Sequence, residues 1–393
     1  MTKRLEEIHI YVDRLMADKN FSDKYLEEKS HLLGVSSCCV LLALRRGLDP
    51  ELAAISGMLH DIYRLKTGIN MNHGHNGAEM ARVVLNRAES SFLDSEKKII
   101  LSAIFHHGDK LDVHDEYDEL LKDADTLAPI LYSGGSRQSQ SVLRHWGRAQ
   151  RLEKMAKELG LSIDGIYPEE CSERIKEKCV NNAGPIPSAY ANECTIPTTP
   201  VNKRLLLADI AEKLAASHIE GTRKNAAYMN LVRYWPEDTA WHELINGWCA
   251  AFVYHSCQEA GLTLPIKWLT EGTRFAGVAA WSTWARRLGY FIKDEPGIIP
   301  QRGDIVLYRN IIPPENKPEE HRQISIDHIG IVLGCDSDSD SFTAAEGNVN
   351  NQNVSGIMTR PLHQNVEGYI RIDNAFLYDN WVFNYKSGTE QNQ

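Results

Sequence analysis

The 393-residue chain has no apolar run long enough to span a membrane. Its opening stretch, MTKRLEEIHIYVDRLMADKN, mixes charges throughout and holds no apolar segment of signal-peptide length. A cytoplasmic location is therefore expected, with export by another route left open. Basic patches are also missing. The balance of 43 Lys+Arg against 53 Asp+Glu gives a formal net charge of -10, which argues against a nucleic-acid partner. The 8 cysteines follow no framework spacing, so reduced thiols are expected and a disulfide scaffold is not. No cell-wall-binding repeat is seen, and nothing before about residue 145 alternates as a strand should.

What is present reads as two domains, the natural division for a chain of this length. The apolar share of 42% and charged share of 24% are those of a globular protein. HLLGVSSCCVLLALRRG puts His31, Val35, Cys38 and Leu42 on one helical face, and Gly47 stops the helix. Asp49-Pro50 opens the next, with Asp as N-cap and Pro at the first helical position. Further helices are predicted around NGAEMARVVLN, SEKKIILSAIFHH and DELLKDADTLAPIL. The Pro-, Asn- and Thr-rich run CVNNAGPIPSAYANECTIPTTP has no period and reads as linker. Beyond it come helices at RLLLADIAEKLAAS, WCAAFVYHSCQEAG and VAAWSTWARRLG. Short strands then follow at DIVLYRN, HIGIVLG, SFTAAEG, VSGIMTR and YIRI. The expected plan is a helical domain over 1–150, a linker over 151–202, and an α+β domain with a small antiparallel sheet over 203–393.

The first half carries His31, the doublet His60-Asp61, His73, His106, His107 and Asp125, spread over successive helices. Imidazole nitrogen with carboxylate oxygen suits a borderline divalent cation. His60 and Asp61 can aim at one point if the helix bends between them, with His31 and Asp125 closing the site. Such a centre polarises a phosphoryl oxygen and supplies hydroxide. The segments HLLGVSS, SGMLHDI, HGHNGAEMA, AIFHHGD and KDADTLAP, over about 25 to 135, resemble the HD superfamily of metal-dependent phosphohydrolases. They are most similar to the bacterial branch that includes symmetrical diadenosine-tetraphosphate hydrolases. The resemblance implies one or two divalent ions, Fe, Mn or similar, on His31, His60, Asp61 and Asp125, with His73 and His107 at a second position. Asp61 is counted as catalytic as well as a ligand. His75 and His106 are alternatives in register, and Asp123 is an alternative last ligand. The family's lysine after the final aspartate is Thr126 here, a departure that bears on the nucleotide.

In the second half, Gly247-Trp248-Cys249 places Cys249 at a helix start, where free N–H groups and the macrodipole favour thiolate. His328, on the alternating DHIGIVLG, can point from a sheet toward that helix as base. Glu346 or Asn348 in AAEGN can accept the other imidazole N–H. WCAAFV, GDIVLY, HIGIV, EGN and YIRI, over about 203 to 375, resemble the CHAP family of cysteine- and histidine-dependent amidohydrolases and peptidases, a papain-like group. The resemblance implies Cys249 as nucleophile, His328 as base, Glu346 as orienting acid and Asn348 beside it, acting on peptidoglycan or another amide. NIIPPENKPEEHRQIS is an insertion between two of those strands.

The expectation is a two-domain hydrolase that takes a phosphorylated small molecule, a nucleotide by preference, and an amide substrate, with no nucleic acid and no membrane span. Two other readings are a nucleotide-sensing HD domain that gates the amidase without turnover, and a phage-type lysis protein. CDSDSDSF has an oxygen-rich look but lacks the Gly and Glu of an EF-hand, so a polar hairpin tip is expected. Trp281 and Trp284 are expected in the core, with carbohydrate stacking as the alternative.

Overall fold

The structure, a computed structural model, describes residues 2–17, 23–110, 112–133, 146–160, 202–245, 247–268, 274–317, 319, 323–336, 339–376, 378, 381–384 and 389–392. The chain divides into two compact units, Met1–Thr199 with Tyr385–Ser387, and Pro200–Asn384 with Gly388–Gln393. No helix among the described residues is long and apolar enough to cross a membrane.

The described part of the first unit is helical: α1 (Lys3–Ala17), α2 (Asp23–Arg46), α3 (Pro50–Leu59), α4 (Ile62–Thr67), α5 (His73–Arg87), α6 (Asp94–His106), α7 (Glu116–Ser133) and α8 (Trp146–Leu159). α3 begins at its cap. The Asp49 carboxylate accepts from the N–H groups of Glu51 and Leu52, and Pro50 takes a position whose N–H would have no partner. Every residue from Leu52 to Leu59 is buried, so α3 is the centre around which α1, α2, α6 and α7 pack. Gly57 allows α2 to come close, since a Cβ there would stand 2.7 Å from the Ser36 Cα. The helix then breaks. Asp61 leaves the helical region at φ -101 and ψ 15, and α4 starts a new axis that ends on left-handed Gly68.

This unit reaches past the expected boundary at residue 150. α8 places Arg151 on Glu119 at 2.8 Å and Asp123 at 3.0 Å, and buries Leu152 and Met155. The rest of the expected linker, 161–201, lies outside the described residues.

The second unit is α+β. It contains α9 (Lys203–Ala216), α10 (Ala226–Val232), α11 (Ala240–Glu243), α12 (Cys249–Glu259) and α13 (Val278–Arg287). Its strands are β1 (Phe291–Lys293), β2 (Ile305–Arg309), β3 (Ile326–Asp336), β4 (Ser341–Glu346), β5 (Gly356–Pro361) and β6 (Val366–Ile370). They form an antiparallel sheet in the order β1-β6-β2-β3-β4-β5. A separate hairpin joins β7 (Trp381–Asn384) to β8 (Thr389–Asn392). α12 is buried from Cys249 to Cys257 and packs with α9 against β3 and β4. On one sheet face, Val306, Tyr308, Val332, Phe342, Ala344 and Tyr369 form an apolar cluster. Trp281 and Trp284 are fully buried against Phe275, which leaves neither ring a face for carbohydrate. In CDSDSDSF, Ser339 donates to Asp336 at 2.8 Å, and residues 337–338 lie outside the described set.

Candidate metal centre and thiol site

The break between α3 and α4 decides the first site. In a continuous helix neighbouring side chains diverge by about 100°, but here His60 and Asp61 converge. His31 comes from α2, His73 from the start of α5, His107 from the residue after α6, and Asp125 from α7. His60 Nε2 lies 3.2 Å from His31 Nε2 and 3.6 Å from Asp125 Oδ1. His31 Nε2 lies 3.3 Å from Asp125 Oδ1. Asp61 Oδ2 joins this group, 3.4 Å from His31 and 3.3 Å from His60. Its other oxygen, Oδ1, faces a second group: His73 Nε2 at 3.5 Å and His107 Nε2 at 3.7 Å. Asp61 thus divides its two oxygens between two donor clusters.

The donors fit cations. Ligand atoms about 2.1 Å from one ion stand about 3.0–3.4 Å apart at octahedral to tetrahedral angles, close to these separations. The rings are also fixed in the ligating tautomer. The Nδ1 atoms of His60, His73 and His107 donate to the carbonyls of Gly57, Asn70 and Ile104 at 2.7, 2.6 and 2.6 Å. A carbonyl only accepts, so each neutral ring turns a bare Nε2 inward. Burial disfavours a proton on His60, yet Asp61 and Asp125 outweigh it and lift the pKa to about 9. Burial holds His107 down to about 3. Burial also works against charge on Asp61 and Asp125. The histidines around Asp61 outweigh it there, and Lys110 with His31 and His60 does so for Asp125, so both carboxyls stay well below the usual range.

The alternatives in register sit elsewhere. His106 Nδ1 bonds Asp118 Oδ2 at 3.0 Å and its ring stacks on His114. His75 stacks on Phe105. Asp123 pairs with Arg46 at 2.7 Å and with Arg151. Thr126 is buried, and its hydroxyl donates to the Lys122 carbonyl. Two cations went unnoticed in the sequence. Lys110 Nζ holds Asp125 Oδ2 at 2.7 Å, and Arg64 pairs with Asp61 Oδ2. Arg64 stands one helical turn after Asp61, a spacing that pairs opposite charges and was available as a signal.

The second site is built from a helix start and three strands. Cys249 is the first residue of α12 and is buried. Tyr308 and His328 are paired across β2 and β3, and their rings stack at 5.7 Å. His328 Nε2 bonds Glu346 Oε2 at 3.0 Å. Its Nδ1 has no hydrogen-bond partner among the described residues, and Cys249 is the first group after burial that acts on its charge. Glu346 reaches His328 across Gly330, where a Cβ would stand 2.9 Å from Glu346 Cγ. Asn348 does not touch the imidazole. Its amide spans a turn, donating to Asn351 Oδ1 and accepting from the Asn353 N–H, both at 2.8 Å, with a left-handed backbone at φ 53. Of the two acceptors the sequence left open for His328, Glu346 holds the position.

Arg360 on β5 was not noticed in the sequence. Its Nε bonds Glu346 Oε1 at 3.0 Å and its Nη2 bonds Oε2 at 2.6 Å. Burial opposes the Glu346 charge, but His328 and Arg360 outweigh it and bring the pKa to about 2. Burial likewise opposes a proton on His328, while Cys249 and Glu346 lift its pKa to about 10. The imidazole is therefore disposed to stay charged beside the sulfur.

Residues 29–130 match the family model of the HD domain, and residues 241–348 match that of the CHAP domain. A curated relative is Ribonuclease Y of Opitutus terrae, 27% identical over 161 residues. That match takes in 40% of this chain and 28% of the relative's length. No solved structure matches the chain.

Proposed function

Starting from a chain that joins an HD domain to a CHAP domain, both hydrolase families, we propose that its two sites hydrolyse a phosphate ester of a nucleotide and a peptidoglycan-type amide. The observation behind the first half is the division of Asp61, with one oxygen toward His31, His60 and Asp125 and the other toward His73 and His107. Ions held there supply Lewis acidity and a hydroxide nucleophile near neutral pH. The chain's residues supply the frame: backbone carbonyls orient the imidazoles, Lys110 turns Asp125, and Arg64 stands at the rim beside Asp61. The relative's name, a ribonuclease, keeps the phosphodiester of a short RNA as a second reading.

The second half rests on the bond from His328 Nε2 to Glu346, with Nδ1 left for Cys249. The Cys249 proton passes to Nδ1. The thiolate attacks the amide carbon, and the same proton moves to the departing amine as the C–N bond breaks. A thioester on Cys249 remains. Water attacks it, His328 takes the water's proton, and the acid leaves as the thiol re-forms. Glu346 holds the ring by its Nε2–H throughout, whether it is neutral or charged.

The test uses the full chain. Metal content is measured, then turnover of a nucleotide panel and of a short RNA, alongside Asp61→Ala. Amide release from a peptidoglycan fragment is measured alongside Cys249→Ser. Loss of each activity in its own variant alone supports the assignment. Nucleotide turnover that survives Asp61→Ala with full metal content contradicts the first half, and amide release that survives Cys249→Ser contradicts the second.

A further inference from the structure

We propose that Arg360 is a positioning residue of the thiol site: through a two-bond clamp on Glu346 it fixes the carboxylate that orients His328 against Cys249. The inference rests on the thiol reading above and adds a residue that lies beyond the stretch matching the CHAP family model.

Sheet geometry carries the argument. Arg360 pairs with Phe342 across β5 and β4, and Glu346 lies an even number of residues from Phe342, so both side chains share one face. Tyr308 and His328 are also paired across their strands. Arg360 places its guanidinium 5.6 Å from the Tyr308 ring centroid, and that ring stacks on His328. The four side chains form one continuous assembly: guanidinium, carboxylate and imidazole, with the phenol ring stacked beneath.

The electrostatic need is specific. Glu346 is 0% exposed, and an isolated carboxylate there would take up a proton instead of staying charged. A protonated Glu346 no longer accepts only, so it stops fixing His328 as an Nε2–H donor. The fork geometry of Arg satisfies both oxygens at once, while Oε2 also accepts from His328. Arg360 bonds Glu346 and lies over the Tyr308 ring, and it acts by way of Glu346.

The experiment follows carboxamidomethylation of Cys249 by iodoacetamide, in which a C–S bond forms and iodide leaves. Site-resolved mass spectrometry reads it in the intact chain across a series of pH values. In Arg360→Met the inflection moves upward, and labelling well below the inflection falls about tenfold, the change for a one-unit shift. Arg360→Lys, which keeps charge but not the fork, falls between. A profile for Arg360→Met that overlies the wild type overturns the proposal. Arg360→Met strands a buried carboxylate and is at risk of not folding, so a second comparison decides independently. Glu346→Gln and Glu346→Gln/Arg360→Met remove that carboxylate in both backgrounds. Action through Glu346 predicts that these two profiles coincide, and a further upward shift in the double variant overturns it. If wild-type Cys249 is labelled no faster than Cys335, the thiol reading itself fails. Preferred labelling of Cys249 with no effect of Arg360 sinks only this inference.

Discussion

His73 and His107 face each other Nε2 to Nε2 across 3.0 Å, although each ring has already given its Nδ1–H to a backbone carbonyl. Two lone pairs at that distance repel unless a cation or proton lies between them. Burial disfavours the proton on both rings and takes His107 to about 3. A cation held by both rings would resolve the contact, with Asp61 Oδ1 close by as a further donor.

His107→Ala should therefore remove one ion and spare the other, because His31, His60 and Asp125 keep their own cluster. Metal per chain by mass spectrometry should fall to about half the wild-type value, and Asp61→Ala should lose both ions. Equal loss in the two variants would mean that the clusters are not separate sites.

Lys110→Met should weaken metal binding without removing a ligand. The lysine holds Asp125 Oδ2 at 2.7 Å and so presents Oδ1 to the centre. Loss of a partner of this kind reduces affinity about 10- to 100-fold. Competition with a chelator measures it, and an unchanged affinity would show that Asp125 is held well enough by the backbone of α7.

The Glu346–His328 pair sets a pH window for the second unit. Glu346 sits at about 2 against an ordinary 4.5, so its stabilisation is present above 4.5 and is lost as pH falls through 2. His328 sits at about 10 against 6.5, so its stabilisation is present below 6.5 and is lost as pH rises through 10. The pair contributes fully between 4.5 and 6.5. The difference in Tm between wild type and Glu346→Gln should shift in the wild type's favour inside that window and fall off on both sides. A difference that stays flat from about pH 3 to 9 would contradict the linkage.

Gly330→Ala should disturb the site from beneath. The new methyl group would stand 2.9 Å from Glu346 Cγ and 3.1 Å from the Ala345 carbonyl. Overpacking of this kind costs about 1–3 kcal/mol, which denaturant unfolding reads. Labelling of Cys249 should slow as Glu346 is pushed off His328. Normal labelling in a destabilised protein would show that the carboxylate finds another route to the imidazole.

The residue order of both sites could be read from the chain because each donor is tied to a periodic element. His31 lies on one apolar-faced helix, Asp125 on another, and His328 on an alternating strand. The sequence left His106 and His107 open, since neighbours on a helix differ only in azimuth. Packing of α6 sets that azimuth and turns His106 to Asp118 and His107 to the centre. Arg360 was invisible for a related reason. An arginine in MTRP reads as a solvent-facing strand residue, and only the register of β4 with β5 brings it to Glu346. Asn348, beside the same motif, is engaged by the turn, donating to Asn351 and accepting from the Asn353 N–H.

The broken helix between α3 and α4 also bears on how the protein is made. His60, Asp61 and His73 lie close together along the chain, whereas His31, His107 and Asp125 must be gathered from distant helices. A newly synthesised chain carries half of the donor set before any tertiary contact forms. Metal bound weakly by that local trio would lower the net stabilisation that an ion gives the finished fold, because the unfolded chain would compete for it. An ion captured by that trio would give α2, α6 and α7 a seed to assemble around, and the yield of the helical unit should then rise with metal supply during synthesis.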